Sequence, residues 1–184
     1  IELLQKACSI ADSDLSVLIL GESGTGKELI ADYIHYHSPR KDNECIKINC
    51  SAFPETLLDN ELFGHDKGAF TGAESVYEGV FERADNGSLF LDELGDMPMF
   101  LQPKVLRAIQ NKEVRRLGGK ETIHIDVRFI ASTNKNLQEY IKKEKFREDL
   151  FYRLGAARLH VPPLREKKDD IPLLIDFFLE KMNE

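Results

Sequence analysis

With 184 residues, 42% hydrophobic and 31% charged, the chain is sized and composed like a single soluble domain with a sizeable core. Acidic residues outnumber basic ones by 32 to 25, a net charge of −7, which argues against direct DNA reading, where phosphate contacts dominate affinity. No apolar run approaches the ~20 residues of a membrane span, and the three cysteines lack CxxC spacing, so reduced thiols in a cytoplasmic protein are expected.

Ile1 to Ala11 carries Leu3, Leu4, Ala7 and Ile10 at helical spacing but starts without a cap, as in a chain cut from something longer. Ser16 to Leu20 is an apolar, β-branched run that predicts a buried strand. Gly21-Glu22-Ser23-Gly24-Thr25-Gly26-Lys27-Glu28 follows, and Leu29-Ile30-Ala31 opens a helix that runs to about Tyr36, before Ser38-Pro39. Ile46 to Asn49 alternates as a second strand, and Pro54-Glu55 starts a helix to about Phe63. The glycine-rich stretch Gly64 to Ala73 reads as a loop, and Tyr77 to Ala84 resumes helical character. Ser88 to Leu91 is a third strand, ending in Asp92-Glu93, and Pro98 to Gln110 a helix with Pro103 in its first turn or at a kink. Val114 to Asp126, with Gly118-Gly119 inside, predicts a β-hairpin. Val127 to Ala131 is a fourth strand, ending in Ser132-Thr133-Asn134. Helices are predicted near Leu137–Lys142 and Phe146–Leu154, a fifth strand over Arg158–Val161, and a last helix capped by Asp169-Asp170 that runs almost to Glu184. Strands separated by helices imply a three-layer αβα fold around a mostly parallel, five-stranded sheet.

The chemistry concentrates at strand ends. A strand, a glycine-rich turn, a lysine and a helix form a phosphate-binding loop: the glycines let successive N–H groups face inward, and Lys27 reaches the outer phosphates. Glu28 departs from the general pattern, in which Ser or Thr meets magnesium at that position. A serine-hydrolase elbow would need glycine at Thr25 and is excluded. Beside a phosphate loop, Asp92 would hold magnesium and Glu93 would orient or deprotonate water; on its own, such a pair is a solvated strand end. Asn134 is either a γ-phosphate or water contact or a turn-forming residue. Arg147 and Arg153 point to different helix faces, with surface pairing to Glu148 or Asp149 the plain alternative. Phe70, flanked by glycines, either meets a partner or tucks into its own domain. The five histidines form no zinc pattern, and no metal site built from protein ligands alone is expected.

Together these stretches resemble the central ATPase domain of bacterial enhancer-binding proteins, the AAA+ activators of sigma-54 RNA polymerase, nitrogen-regulatory type, from about Val17 to Ile175. Gly68-Ala69-Phe70-Thr71-Gly72-Ala73 is similar to the family's sigma-54-contacting loop, and Gly21 to Glu28 to its phosphate loop, in which Glu28 is normal. The resemblance implies an inserted loop at 64–74 and an inserted hairpin at 114–126. It implies Walker B at Leu89 to Glu93, with Asp92 on magnesium. Asn49 would hold the catalytic glutamate until nucleotide state releases it, and Asn134 would lie in sensor I. Arg147 and Arg153 would reach a neighbour's nucleotide. Residues 1–165 would form the nucleotide-binding subdomain and 166–184 the start of a helical lid. The implied ligands are ATP and Mg2+. The implied partners are sigma-54 holoenzyme and further copies of the chain in a hexameric or heptameric ring, with DNA bound through a separate domain and no membrane. Gly155 departs from the family's usual Asn. Two rival readings are another AAA+ machine and a nucleotide-binding module that switches without turnover.

Overall fold

A computed structural model describes residues 2–182. In chain order the elements are α1 (Glu2–Ala11), β1 (Val17–Leu20), α2 (Lys27–Tyr36), β2 (Cys45–Asn49), α3 (Glu55–Phe63), β3 (Gly64–His65), β4 (Tyr77–Glu78), α4 (Val80–Arg83) and β5 (Ser88–Asp92). They continue with α5 (Gln102–Asn111), β6 (Glu113–Val114), β7 (Ile123–His124), β8 (Arg128–Thr133), α6 (Leu137–Lys142), α7 (Glu148–Leu154), β9 (Ala157–His160) and α8 (Ile171–Met182).

Five strands form one parallel sheet in the order β2-β5-β8-β1-β9. Alternation along the strands splits the core in two. Leu18, Leu89, Leu91, Phe129 and Ala131 face α3, α4, α5 and α7. Val17, Ile19, Phe90, Ile130 and Leu159 face α1 and α2. Both faces are covered at the centre, which is why β1, β5 and β8 read as largely apolar runs, whereas the edge strands β2 and β9 alternate. Arg128, 1% exposed at the start of β8, donates to the carbonyls of Ile10 and Ala11 and so satisfies the end of α1.

Four expectations differ. Residues 77–84 are not one helix: Tyr77–Glu78 pairs with Gly64–His65, and only a single turn, Val80–Arg83, follows. The cause is a backbone-to-backbone approach, since a Cβ on Gly79 would lie 2.5 Å from the Gly64 nitrogen. The helix expected from Pro98 begins at Gln102, because residues 98–101 form a turn closed by Leu101 N–H to the Pro98 carbonyl; Pro103 sits in the first turn without a kink. The hairpin pairs only two residues per strand, leaving 115–122 as its loop. A 3-10 turn, Lys168–Asp170, runs straight into α8 in place of a cap. Asn183 and Glu184, near which the last helix was expected to end, lie outside the described residues.

Candidate functional site

The carboxyl ends of β1, β5 and β8 are adjacent, and there a parallel sheet leaves its ligand crevice. Gly21 leaves β1 and donates to the Thr133 carbonyl, tying the loop to β8. A side chain at Gly21 would meet the Val161 carbonyl at 2.7 Å. Gly24 and Gly26 turn the loop with φ 77° and 86°, a left-handed backbone that favours glycine. Lys27 then opens α2, only 7% exposed. Its ammonium donates to the carbonyls of Gly21 (3.1 Å) and Glu22 (3.0 Å) and stands 3.9 Å from Glu93 Oε1. A buried cation held by neutral carbonyls is positioned to exchange them for phosphate oxygens.

Asp92 is fixed on both oxygens: Ser132 Oγ donates to Oδ1, and Asn49 Nδ2 donates to Oδ2 at 3.2 Å. Asn49 therefore contacts Asp92, whereas Glu93 accepts from the backbone N–H of Asn134 at 3.3 Å. Glu93 has φ 48°, a left-handed backbone that costs a non-glycine residue on the order of 1 kcal/mol and aims its carboxylate into the crevice beside Lys27. Ser23, Lys27, Glu28, Asn49, Asp92 and Glu93 line a cleft of about 440 Å³. A second cleft, of about 430 Å³, opens beyond Gly21 and Glu22, against Asn134, Arg158 and His160. The Cys50 thiol beneath is pushed up to about 12 by burial and by Asp92, so it is no nucleophile here.

Three partners were not legible beforehand. Ser132 holds Asp92, Lys47 bridges Glu28 (2.9 Å) and Asp32 (2.8 Å), and Arg165 makes a two-point fork to Glu22 at 2.7 and 2.5 Å. Glu28 is thus ion-paired across to β2. The Lys47 ammonium is held up to about 12: burial opposes the charge, and the two carboxylates outweigh it. No sequence spacing signals such pairs, since they join different elements. Among the described residues, no group of three or more His, Cys, Asp or Glu is placed to hold a metal by itself.

The loop at 68–73 contributes no residue to the lining of this crevice and is built separately. Gly68 (φ 83°) and Gly72 (φ 96°) bend it, and Gly68 N–H donates to the Ala73 carbonyl at 2.8 Å. Ala69 packs against Gly118 of the hairpin. Thr71 is exposed. Phe70 is 48% exposed, one edge resting on His65 with ring centroids 4.8 Å apart. His65 in turn stacks on Tyr77 (5.6 Å), its Nδ1 2.6 Å from Asn60 Oδ1. Arg116 joins hairpin to loop, donating twice to Glu82 and once to Asp66.

Neither arginine of the 146–154 segment contacts Lys27, Asp92 or Glu93. Arg147 precedes α7 and folds onto Asp149 at 3.0 and 2.7 Å, the surface pairing the sequence left open. Arg153 is exposed and lines a hollow with Asp14, Leu15 and Ser16, at the opposite end of β1 from the phosphate loop. Gly155 has an ordinary φ of −88°, but a Cβ there would meet Arg158 Nε at 2.8 Å. Its absence lets Arg158 lie over Phe151 at 4.4 Å.

Residues 1–160 match the sigma-54 interaction domain family. The chain belongs to that family. It is 56% identical to the DNA-binding transcriptional activator HyfR of Escherichia coli K12 over 181 residues, 98% of this chain and 27% of HyfR. It is 54% identical to the regulatory protein AtoC of the same organism, covering 99% of this chain and 40% of AtoC. Its identity to E. coli NtrC is 52%, covering 93% and 36%. The chain thus spans well under half of these relatives. Brucella abortus NtrX, crystallised with ATP, superposes with a TM-score of 0.92 at 36% identity, over 98% of this chain and 39% of NtrX. The P-loop NTPase domain of an E. coli sigma-54 transport activator, 18% identical, shares the fold with a TM-score of 0.58, over 89% of this chain and 94% of that one. The fold is that of a P-loop NTPase domain of sigma-54-dependent activators.

Proposed function

We propose that this domain hydrolyses ATP and uses the cycle to remodel sigma-54 RNA polymerase holoenzyme toward open-complex formation. One observation carries the reading: the same fold joins a phosphate-loop crevice holding Lys27, Asp92 and Glu93 to a separately built, exposed loop with Phe70 at its tip. The loop N–H groups from Gly21 to Glu28 cradle the phosphates, and Lys27 releases the Gly21 and Glu22 carbonyls to pair with the outer ones. Asp92 would hold Mg2+ together with phosphate oxygens; magnesium binds through one or two carboxylates plus substrate phosphates, and it supplies charge neutralisation when bound. Glu93 aligns the attacking water and takes its proton. Asn49 keeps Asp92 oriented, and Asn134 ties Glu93 to the end of β8, so both respond to what occupies the crevice. Arg147 and Arg153 act on a neighbouring copy's nucleotide in a hexameric or heptameric ring. Residues 1–165 form the nucleotide-binding unit and 166–184 the start of a lid, a reading supported by the exposed Leu173, Phe177 and Phe178 of α8. DNA contact falls to a separate domain.

The test separates binding from turnover. Glu93→Gln is expected to bind Mg·ATP and release little phosphate, because the amide cannot accept the water's proton. Lys27→Ala is expected to weaken binding itself. Full turnover by Glu93→Gln would remove Glu93 from its role.

A further inference from the structure

Between α5 and the hairpin lies a groove of about 270 Å³ that the nucleotide chemistry does not use. Phe63 and Val114, each 3% exposed, and half-buried Leu117 supply apolar walls. Lys104, Arg107, Arg115 and Arg116 supply its cations. Two of these are spent: Lys104 pairs with Asp59 at 2.8 Å, and Arg116 with Glu82 at 2.6 Å. Two are not. Arg107 makes no hydrogen bond or ion pair among the described residues, and Arg115 bonds only the uncharged Thr122 hydroxyl, at 3.0 Å. Among the described residues Glu113 is the one acid lining the groove, and it lies 3.7 Å from His124.

We propose that this groove binds an acidic segment of sigma-54 that carries an apolar anchor side chain. The inference rests on the function proposed above and names a second contact for the same partner. Two unpaired guanidinium forks match carboxylates in two-point geometry, and in a chain of net charge −7 they mark a local preference for negative charge. The apolar walls select the class of partner. A nucleic-acid backbone needs cations along an open track, whereas a walled apolar floor rewards a buried side chain. The groove is smaller than the ~300 Å³ at which small-molecule pockets begin, so it suits one large side chain. Position supports the assignment: Asp66 N–H donates to the Leu117 carbonyl, and Gly118 packs on Ala69, so the groove abuts the loop that ends in Phe70.

The test measures the affinity of purified sigma-54, free of core polymerase and DNA, for the protein with an ATP transition-state mimic, across a salt series. The Arg107→Glu/Arg115→Glu double variant changes only exposed side chains, so ATPase activity and assembly are expected to persist. Sigma-54 affinity is expected to fall at least tenfold, in line with close charge pairs at interfaces, with a flatter salt dependence. Lysine at both positions is expected to restore part of it. If Phe70→Ala abolishes capture while the double variant binds normally, the groove proposal is overturned and the functional reading stands. If the unmodified protein captures no sigma-54, both fall. If the double variant instead loses affinity for a labelled DNA duplex, or loses assembly, with sigma-54 capture intact, the surface belongs to nucleic acid or to a second copy and the proposal is wrong.

Discussion

Lys27 and Glu93 stand 3.9 Å apart, and each is held by backbone: Lys27 by two loop carbonyls, Glu93 by the Asn134 N–H. This arrangement sets a buried cation beside a carboxylate carried on a left-handed backbone. A different kind of buried group lies at the other end of the sheet. His35 is 1% exposed and bonds Ser88 Oγ at 3.0 Å, and burial pushes its pKa below the usual histidine value. The folded state therefore favours neutral His35, whereas the unfolded chain takes up a proton at about 6.5. Its contribution is intact above that pH and is lost as pH falls toward the folded pKa, at most about 1.4 kcal/mol per pH unit. Denaturant titrations between pH 7.5 and 5.5 are expected to show this loss. His35→Gln, which can still bond Ser88, is expected to flatten it; an equal slope in both proteins would show that His35 does not titrate.

The 64–79 region depends on backbone contact more than on side chains. At Gly79 a Cβ would lie 2.4 Å from the Leu62 carbonyl, whereas at Gly68 it would meet nothing, although φ is 83°. Gly68→Ala is therefore expected to cost about 1–2 kcal/mol, the left-handed penalty alone. Gly79→Ala must part the β3–β4 clamp and is expected to cost more, with heightened proteolysis at 66–76. Thermal unfolding with limited proteolysis checks the order; equal stabilities would contradict the clamp. This clamp also explains what the sequence concealed. The central strands β1, β5 and β8 were legible as apolar runs covered on both faces, and the edge strands β2 and β9 by their alternation. The phosphate loop and Asp92-Glu93 were legible because their chemistry is local. Tyr77–Glu78 was not, since two-residue strands leave no period and the pairing arises from Gly64 meeting Gly79. Ser132, Lys47 and Arg165 escaped for the same reason: each completes a bond across elements, and their spacing carries no signal.

Neither Arg147 nor Arg153 reaches the crevice within one chain: Arg147 folds on Asp149, and Arg153 lies at the far end of β1. In the proposed ring each copy would lend an arginine to the next. Mixing Arg153→Ala with Lys27→Ala subunits is then expected to recover part of the ATPase activity, because some interfaces join an intact crevice to an intact arginine; the same holds for Arg147→Ala. Mixed rings with no recovery for either would place both arginines in structural roles.

The central claim is that the crevice drives the loop at 68–73. The most direct measurement compares ATPase rate with open-complex formation at a sigma-54 promoter in Phe70→Ala and Thr71→Val. Phe70 would bury about 1.5–3 kcal/mol of apolar contact against its partner, so its loss is expected to weaken sigma-54 capture roughly tenfold or more. Thr71→Val keeps the shape and deletes the hydroxyl, so it is expected to impair coupling more than capture. Retained ATP turnover with lost open complexes is expected in both variants. Normal promoter opening by both would contradict it.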